Sequence, residues 1–246
     1  MTTAPPEDQR RLLDLQQLDT RLDQIAHRKR THPVLARLAE VDGRLADLDT
    51  ALVASRTAAN DLRREVTKAE TDVEQVRTRA ARDQARLDSG SGSPKDLQAL
   101  QSELASLARR QDELEEVELE VMERLEAHET ALAGLTSAHA EVLAQKAELV
   151  AERDAAFAEL DAEAEKVAAQ RAELASPLDD KLLALYERLR GRLGGVAVAA
   201  LRRGRSEGSG LQVPGTELAR IKALPPEAVV YCEDSGRILV RGEDAF

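Results

Sequence analysis

The chain has 246 residues, of which 42% are hydrophobic and 33% are charged, but only 2% are aromatic and none is Trp. This composition excludes a large aromatic core and is typical of long helices and coiled coils. The formal net charge of -11 argues against a general affinity for nucleic acid. Because the sequence has neither a signal peptide nor an apolar run long enough to span a membrane, we predict a cytoplasmic protein.

The first half of the chain carries apolar or small residues at alternating steps of three and four. This spacing is a heptad repeat, which predicts one side of a coiled coil. A shorter run with similar spacing precedes it, and Thr31-His32-Pro33 predicts a break between the two because proline disfavours helix at that point. The main seam consists of Leu45, Leu48, Leu52, Ser55, Ala59, Leu62, Val66, Ala69, Val73, Val76 and Ala80.

A second seam begins after a short flexible segment, residues 89–94, which ends in a proline suited to the first turn of a helix. A short connection forces neighbouring helices to run in opposite directions. We therefore predict an antiparallel coiled-coil hairpin over residues 7–176, with its tip at 89–94. The second seam consists of Leu97, Leu100, Leu104, Leu107, Leu114, Val121, Leu125, Leu132, Leu135, Val142, Leu149, Leu160, Val167 and Leu174.

The remaining residues predict a connecting helix and a small β module. Residues 177–194 form the helix, with apolar residues on one face and Gly194-Gly195 at its end. In residues 195–246, three short apolar runs predict strands, and Pro214–Ile221 predicts a helical turn. The expected fold class is mainly α, with a long antiparallel coiled-coil hairpin and a small C-terminal module similar to a zinc ribbon.

Two five-residue segments of this module have matching spacing, Ser206–Gly210 and Cys232–Gly236. With Cys at three positions, both segments would read C-x-x-C-G, and four thiolates would complete a tetrahedral zinc site. The actual residues at the four ligand positions are Ser206, Ser209, Cys232 and Ser235. The alternative is a pair of ordinary Gly/Ser turns, which leaves their matched spacing unexplained.

Several segments together resemble a known family. They are Ser93–Gln101, Arg109–Glu115, Glu118–Glu123, Leu183–Arg190 and Cys232–Val240. The whole chain resembles bacterial coiled-coil proteins with a C-terminal C4-type zinc ribbon. The resemblance implies an adaptor or chaperone in transcription and in the regulation of flagellar or secretion genes. Some such proteins act with the alternative sigma-54 factor or with RNA.

This sequence departs from that family at three of the four cysteine positions. A serine hydroxyl is hardly ionised near neutral pH, whereas zinc favours thiolate, imidazole or carboxylate ligands. We therefore predict a degenerate ribbon with no metal and no other cofactor, in contrast to the zinc of intact family members. Weak zinc binding through Cys232 with Glu233 or Asp234 is the alternative.

The charge distribution indicates one candidate binding surface. Residues 181–222 contain nine Lys or Arg and only three Glu, in an otherwise acidic chain. Clustered guanidinium groups attract phosphate or acidic protein surfaces. Pairing with the acidic hairpin of the same chain is the alternative. The candidate residues are Arg188, Arg190, Arg192, Arg202, Arg203 and Arg205.

No catalytic residues can be assembled from the sequence, so we predict that the protein is not an enzyme. The four histidines lie in the coiled coil, and His128 and His139 are predicted to fix its register or to pack on its seam. The leading hypothesis is a regulatory adaptor or chaperone that binds a protein partner and, through the basic segment, RNA or DNA, without a membrane. A structural coiled-coil scaffold, capped by the degenerate ribbon, is the alternative.

Overall fold

The computed structural model describes residues 2–246 and confirms a mainly helical chain with a small C-terminal sheet. Two compact units are present: one is Ala36–Val150, and the other contains the described residues on either side of it. Within residues 2–246, no helix has the length and apolar content needed to cross a bilayer. The elements are α1 (Pro6–Arg30), α2 (Pro33–Asp88), α3 (Pro94–Ala175), α4 (Asp180–Arg192), β1 (Val198–Arg202), β2 (Arg205–Ser206), α5 (Gly215–Ala223), β3 (Val230–Tyr231) and β4 (Ile238–Arg241).

The predicted break between the first two helices is confirmed. The last turn of α1 ends at Thr31, whose backbone N–H donates to the carbonyl of His27 at 2.9 Å. Pro33 then begins α2. Proline has no N–H to continue the ladder of α1, but it fits the first turn of the next helix, where that N–H would have no partner.

In the unit Ala36–Val150, α2 and α3 run antiparallel, as predicted. Ion pairs connect the two helices, and as the residue number rises along α2, the number of its partner on α3 falls. All predicted seam positions in this unit are buried or half-buried, so the heptad spacing identified the contact face correctly. The cross-helix pairs are Asp42 with Lys146, Asp49 with His139, Arg63 with Glu129 and Arg77 with Glu115.

The two seam histidines are half-buried and contact α2 as predicted. The Nε2 atom of His128 lies 3.1 Å from the hydroxyl of Ser55 and 2.9 Å from its carbonyl oxygen. The Nε2 atom of His139 lies 3.0 Å from a carboxylate oxygen of Asp49. These polar contacts occur at one register of the two helices, because a shift along the seam would separate the partners.

The hairpin turn is closed by a reciprocal cap at the start of α3. The backbone N–H of Ser93 donates to the Asp96 carboxylate at 3.0 Å, and the N–H of Asp96 donates to the Ser93 hydroxyl at 3.3 Å. This is a capping box with Asp as its acidic residue. The Ser93 hydroxyl also donates to the Asp96 carboxylate at 2.7 Å, and this hydrogen bond, followed by that from the Ser93 backbone, lowers the pKa of Asp96. Gly90, with φ of +63°, provides the left-handed conformation just after α2.

In the other unit, α1 runs antiparallel to the C-terminal part of α3. Arg21 pairs with Glu163 at 2.9 Å, and Lys29 pairs with Asp161 at 2.6 Å. The apolar face of α4 packs against α1 and the sheet in one cluster, which anchors the connecting helix. Its principal members are Leu12, Leu15, Leu182, Leu185, Tyr186, Leu189, Val198 and Ile238.

The C-terminal sheet has the strand order β2-β1-β4-β3. Its central pair, β1 and β4, is parallel, with Val198 opposite Ile238, whereas the two outer pairs are antiparallel. The predicted apolar runs all contribute strands. Val196 in these runs is half-buried, and the other residues expected to pack together are buried, namely Val198, Leu201, Val229, Ile238 and Val240. The module is therefore a mixed sheet, with α5 in the connection between β2 and β3.

Candidate functional site

The two segments with matched spacing form turns of the same geometry. Gly210 N–H donates to the Ser206 carbonyl at 2.8 Å, and Gly236 N–H donates to the Cys232 carbonyl at 2.8 Å. The two glycines have φ of +71° and +68°, a left-handed conformation that other residues rarely adopt. The predicted similarity of the segments is thus present in the backbone as well as in the sequence.

Three of the four predicted ligand positions line one small cavity. Ser206, Ser209 and Cys232 surround a volume of about 30 Å³, together with Glu217 from α5. Ser235 is not among the lining residues, and its hydroxyl instead accepts from the backbone N–H of Arg237 at 3.5 Å. The fold therefore brings the two turns together across this cavity.

The chemical character of the cavity does not fit a structural zinc ion. The ligand positions that line it offer one thiol and two hydroxyl groups, where zinc requires four strong donors. Glu233 and Asp234 also line the cavity, but both residues are exposed to solvent. The carboxylate of Glu217 is already held by the Arg220 guanidinium, which donates from Nε at 2.7 Å and from Nη2. Throughout residues 2–246, no group of three or more His, Cys, Asp or Glu is arranged to hold a metal ion.

The six candidate arginines do not form one surface. Arg188 and Arg192 are exposed and lie one helical turn apart on α4, so they share a face. Arg192 lies beside Gly236 at the start of β4, whereas Arg203 follows the far end of β1. The five residues of β1 span roughly 16 Å. Because β1 and β4 are parallel, Arg192 and Arg203 lie at opposite ends of this strand pair.

Two of these arginines have acidic partners in the same unit. Arg190 is half-buried and donates to both carboxylate oxygens of Asp23 at 2.8 Å. Arg202 lies 3.3 Å from a carboxylate oxygen of Glu207. Arg205 donates from Nε to the carbonyl of Gly210 at 2.6 Å and so supports the first turn. For Arg190, the structure therefore shows the pairing with the acidic hairpin that the sequence left open, whereas Arg202 pairs within the C-terminal module.

A buried polar network around Asp19 was missed by the sequence analysis. Asp19 is only 2% exposed, yet its carboxylate accepts from Arg171 Nε at 2.6 Å and from the Tyr186 hydroxyl at 2.7 Å. Arg171 also pairs with Glu187. The network joins α1, α3 and α4, so it fixes the helix that carries Arg188 and Arg192.

The network shifts the pKa values of its members. Burial, and then the hydrogen bond and negative charge of Asp19, raise the pKa of Tyr186. The hydrogen bond to Asp19 raises the pKa of Arg171 more than burial lowers it. Both groups therefore keep their protons, and the carboxylate of Asp19 has two constant donors. The available signal in the sequence was that Leu12, Leu15, Asp19 and Leu22 are spaced as a heptad seam with an acidic residue in it.

Comparison with known proteins identifies relatives along almost the whole chain. Residues 15–194 match the family model of the CT398-like coiled coil hairpin domain. An uncharacterized protein of Mycobacterium tuberculosis strain H37Rv is 38% identical over 235 residues, which cover 96% of each chain. A solved structure from Mycobacterium smegmatis has 34% identity and a TM-score of 0.86, covering 98% of this chain and 100% of the other. CT398 from Chlamydia trachomatis, at 16% identity, shares the fold with a TM-score of 0.75 over 96% of this chain and 98% of its own.

Proposed function

This chain belongs to the CT398-like coiled-coil hairpin family, and we propose that it is a non-enzymatic, cytoplasmic regulatory adaptor that binds an anionic partner through α4. The partner is an acidic protein surface or a nucleic acid, and the role is in transcription regulation. The paired turns support a relationship between the C-terminal module and C4-type zinc ribbons, with three of the four ligands replaced by serine.

The exposed pair Arg188 and Arg192 is the observation that carries this proposal. Within residues 2–246, no carboxylate lies within 4 Å of either guanidinium group, although Arg190 between them is paired. Their positive charge is therefore available to a partner. The buried face of α4 and the Asp19 network hold the helix in place, so that binding requires little ordering of the backbone.

Charge reversal on α4 tests the proposal. The variant Arg188→Glu/Arg192→Glu is compared with the native chain for binding of a fluorescent single-stranded RNA and a duplex DNA at low salt. We expect the native chain to bind one of them with an affinity that falls as salt rises, and the variant to lose most of that binding. Arg202→Glu is the matched control, since Arg202 already lies beside Glu207.

A protein partner is tested by crosslinking in the native cell. The native chain and the Arg188→Glu/Arg192→Glu variant are each crosslinked and purified under denaturing conditions. The proposal requires an acidic protein that is recovered with the native chain and lost with the variant. Equal recovery by both, together with absence of RNA and DNA binding, would contradict a role for α4.

A structural scaffold is the second candidate, and the Asp19 network favours it. The network joins α4 to α1 and α3, and the apolar cluster around Tyr186 packs these helices against the C-terminal module. A module used only as a cap would stabilise these helices without contacting a partner. Deletion of residues 196–246 would then lower the melting temperature but leave all crosslinked partners unchanged. The Arg188→Glu/Arg192→Glu variant would also keep these partners if the protein is a scaffold, whereas an adaptor that binds through α4 would lose them.

A further inference from the structure

The cavity between the two turns has the size of a site for one water molecule. A water molecule requires about 10–15 Å³ of such space and two to four polar neighbours. The cavity provides about 30 Å³. Its polar neighbours include the hydroxyl groups of Ser206 and Ser209 and the thiol of Cys232.

Ser206 supplies the strongest indication that a ligand belongs in this cavity. The residue is buried, with only 1% of its surface exposed, and within residues 2–246 no protein group forms a hydrogen bond with its hydroxyl oxygen. A buried hydroxyl without a partner is costly. The backbone of Ser206 is fixed by β2 and by the turn to Gly210, so the hydroxyl stays at the cavity.

The charge of the cavity favours a neutral ligand. Both oxygens of Glu217 accept from Arg220, so this carboxylate is neutralised by a cation that is already present. The two turns contribute two hydroxyls, one thiol and the carboxylates of Glu233 and Asp234 to the lining. Both of these acidic residues are exposed, so solvent hydrates their charge. Within residues 2–246, no three His, Cys, Asp or Glu side chains are arranged to hold a metal ion, so a divalent cation here would lose its hydration shell without gaining a set of anionic ligands.

A guanidinium group joins the two turns beside the cavity. Arg237 follows the second turn directly, and its Nη1 donates to the carbonyl of Gly208 in the first turn at 3.4 Å. Its Nε donates to the carbonyl of Val196 at 3.0 Å. Gly208 itself packs closely on β1, since an added Cβ would lie 2.6 Å from the Cβ of Ala199. The first turn is thus held on two sides.

We propose that one ordered water molecule fills the cavity, hydrogen-bonded to the Ser206 hydroxyl, and that with Arg237 it joins the two turns in place of a metal ion. The site is independent of the proposed function, since it requires neither α4 nor a partner. The neutral water molecule and the Arg237 guanidinium would thus link the two turns, as a zinc ion bound by four thiolates would link them in an intact ribbon.

The Ser206→Ala variant of the full chain distinguishes a hydrated cavity from a dry one by the sign of its effect. If water is bound, the variant removes one of its hydrogen bonds, and the melting temperature falls by about 2–4 °C. If the cavity is dry, the variant removes an unpaired buried hydroxyl, and the melting temperature rises. Ser235→Ala is the matched control, because Ser235 does not line the cavity, and it should have little effect.

A crystal structure at high resolution and metal analysis complete the test. The proposal requires one electron-density peak in the cavity, within hydrogen-bond distance of Ser206 Oγ and without anomalous signal at the zinc edge. It also requires a melting temperature that a chelator leaves unchanged. An empty cavity, or stoichiometric zinc in the purified protein, would overturn it. Arg237→Met should weaken the link between the turns and lower the melting temperature, and an unchanged value would contradict the role given to Arg237.

Discussion

Tyr186 on α4 donates its hydroxyl proton to the buried carboxylate of Asp19 on α1, across 2.7 Å. The two residues are far apart in sequence, and neither side chain reaches solvent, with 0% and 2% exposure. This hydrogen bond is one of the few polar contacts that specify how α4 sits on the first helix, since apolar packing alone tolerates small shifts.

Removal of this hydroxyl should destabilise the unit that contains α1 and α4. Tyr186→Phe keeps the ring in the apolar cluster but takes one donor from a buried carboxylate. We expect the free energy of unfolding to fall by about 1.5–3 kcal/mol, measured by urea denaturation followed by circular dichroism. Tyr231→Phe is the control, since the hydroxyl of Tyr231 has no hydrogen-bond partner within residues 2–246. Equal effects of the two variants would contradict the assigned role.

Replacement of Asp19 should have a larger effect. Asp19→Ala leaves Arg171 and Arg190 without their shared buried carboxylate, and breaking such a pair from one side costs about 3–5 kcal/mol. Hydrogen exchange should show faster opening of α1 and α4. Asp23→Ala is the comparison, because its exposed carboxylate contributes less than about 1 kcal/mol. Protection of α4 that is unchanged in Asp19→Ala would refute the network.

The ion pair between Glu217 and Arg220 predicts a dependence of stability on pH. The hydrogen bond that Arg220 donates to Glu217 lowers the pKa of this carboxyl group. The contribution of the Glu217 carboxylate to stability is therefore fully present above its pKa in the unfolded chain, about 4.3. This contribution is lost as the pH falls through the lower pKa of Glu217 in the folded state. Native protein should be more stable than Glu217→Gln at pH 7, and this difference should shrink on acidification. Parallel pH curves for the two proteins would exclude the effect.

Restoring the missing cysteines should create a metal site. The two turns already share backbone geometry, so Ser206→Cys/Ser209→Cys/Ser235→Cys should place three thiols at the cavity and a fourth, at position 235, in the same turn as Cys232. A change of rotamer at position 235 would bring this thiol to the metal. We expect one zinc ion per chain by elemental analysis and a melting temperature that falls when a chelator is added. The same triple variant with Cys232→Ser is the control and should bind less zinc. Absence of zinc from the triple variant would show that the turns are not held as a ligand frame.

The structure could be predicted from the sequence where it depends on the local spacing of residues. The seams through Leu45 and Val121 were identified because a heptad repeat determines which face of a helix is apolar. The break before Pro33 was also predictable, because a single proline is enough to end the preceding helix. The division into a 7–176 hairpin, a 177–194 helix and a 195–246 module stays a prediction.

Features that depend on distant contacts were not visible in the sequence. The short run around Val198 predicts a strand, but nothing in its residues indicates a parallel partner at Ile238. Arg190 and Arg192 look equivalent in the sequence, yet a helix places residues two apart on different sides. Only the position of α1 shows that the first is paired with Asp19 and Asp23 while the second faces solvent.

The N-terminal segment meets the C-terminal module through its backbone. Ala4 N–H donates to the carbonyl of Glu227 at 2.8 Å, and Val229 N–H donates to the carbonyl of Thr2 at 3.1 Å. Gln9 also reaches Pro226, 217 residues away. During synthesis on a ribosome, the hairpin over Ala36–Val150 has all its sequence available long before residue 229 emerges. The backbone hydrogen bonds of Thr2 and Ala4 therefore form only after Glu227 and Val229 have emerged, so the N-terminal segment stays without these partners while the hairpin can already fold.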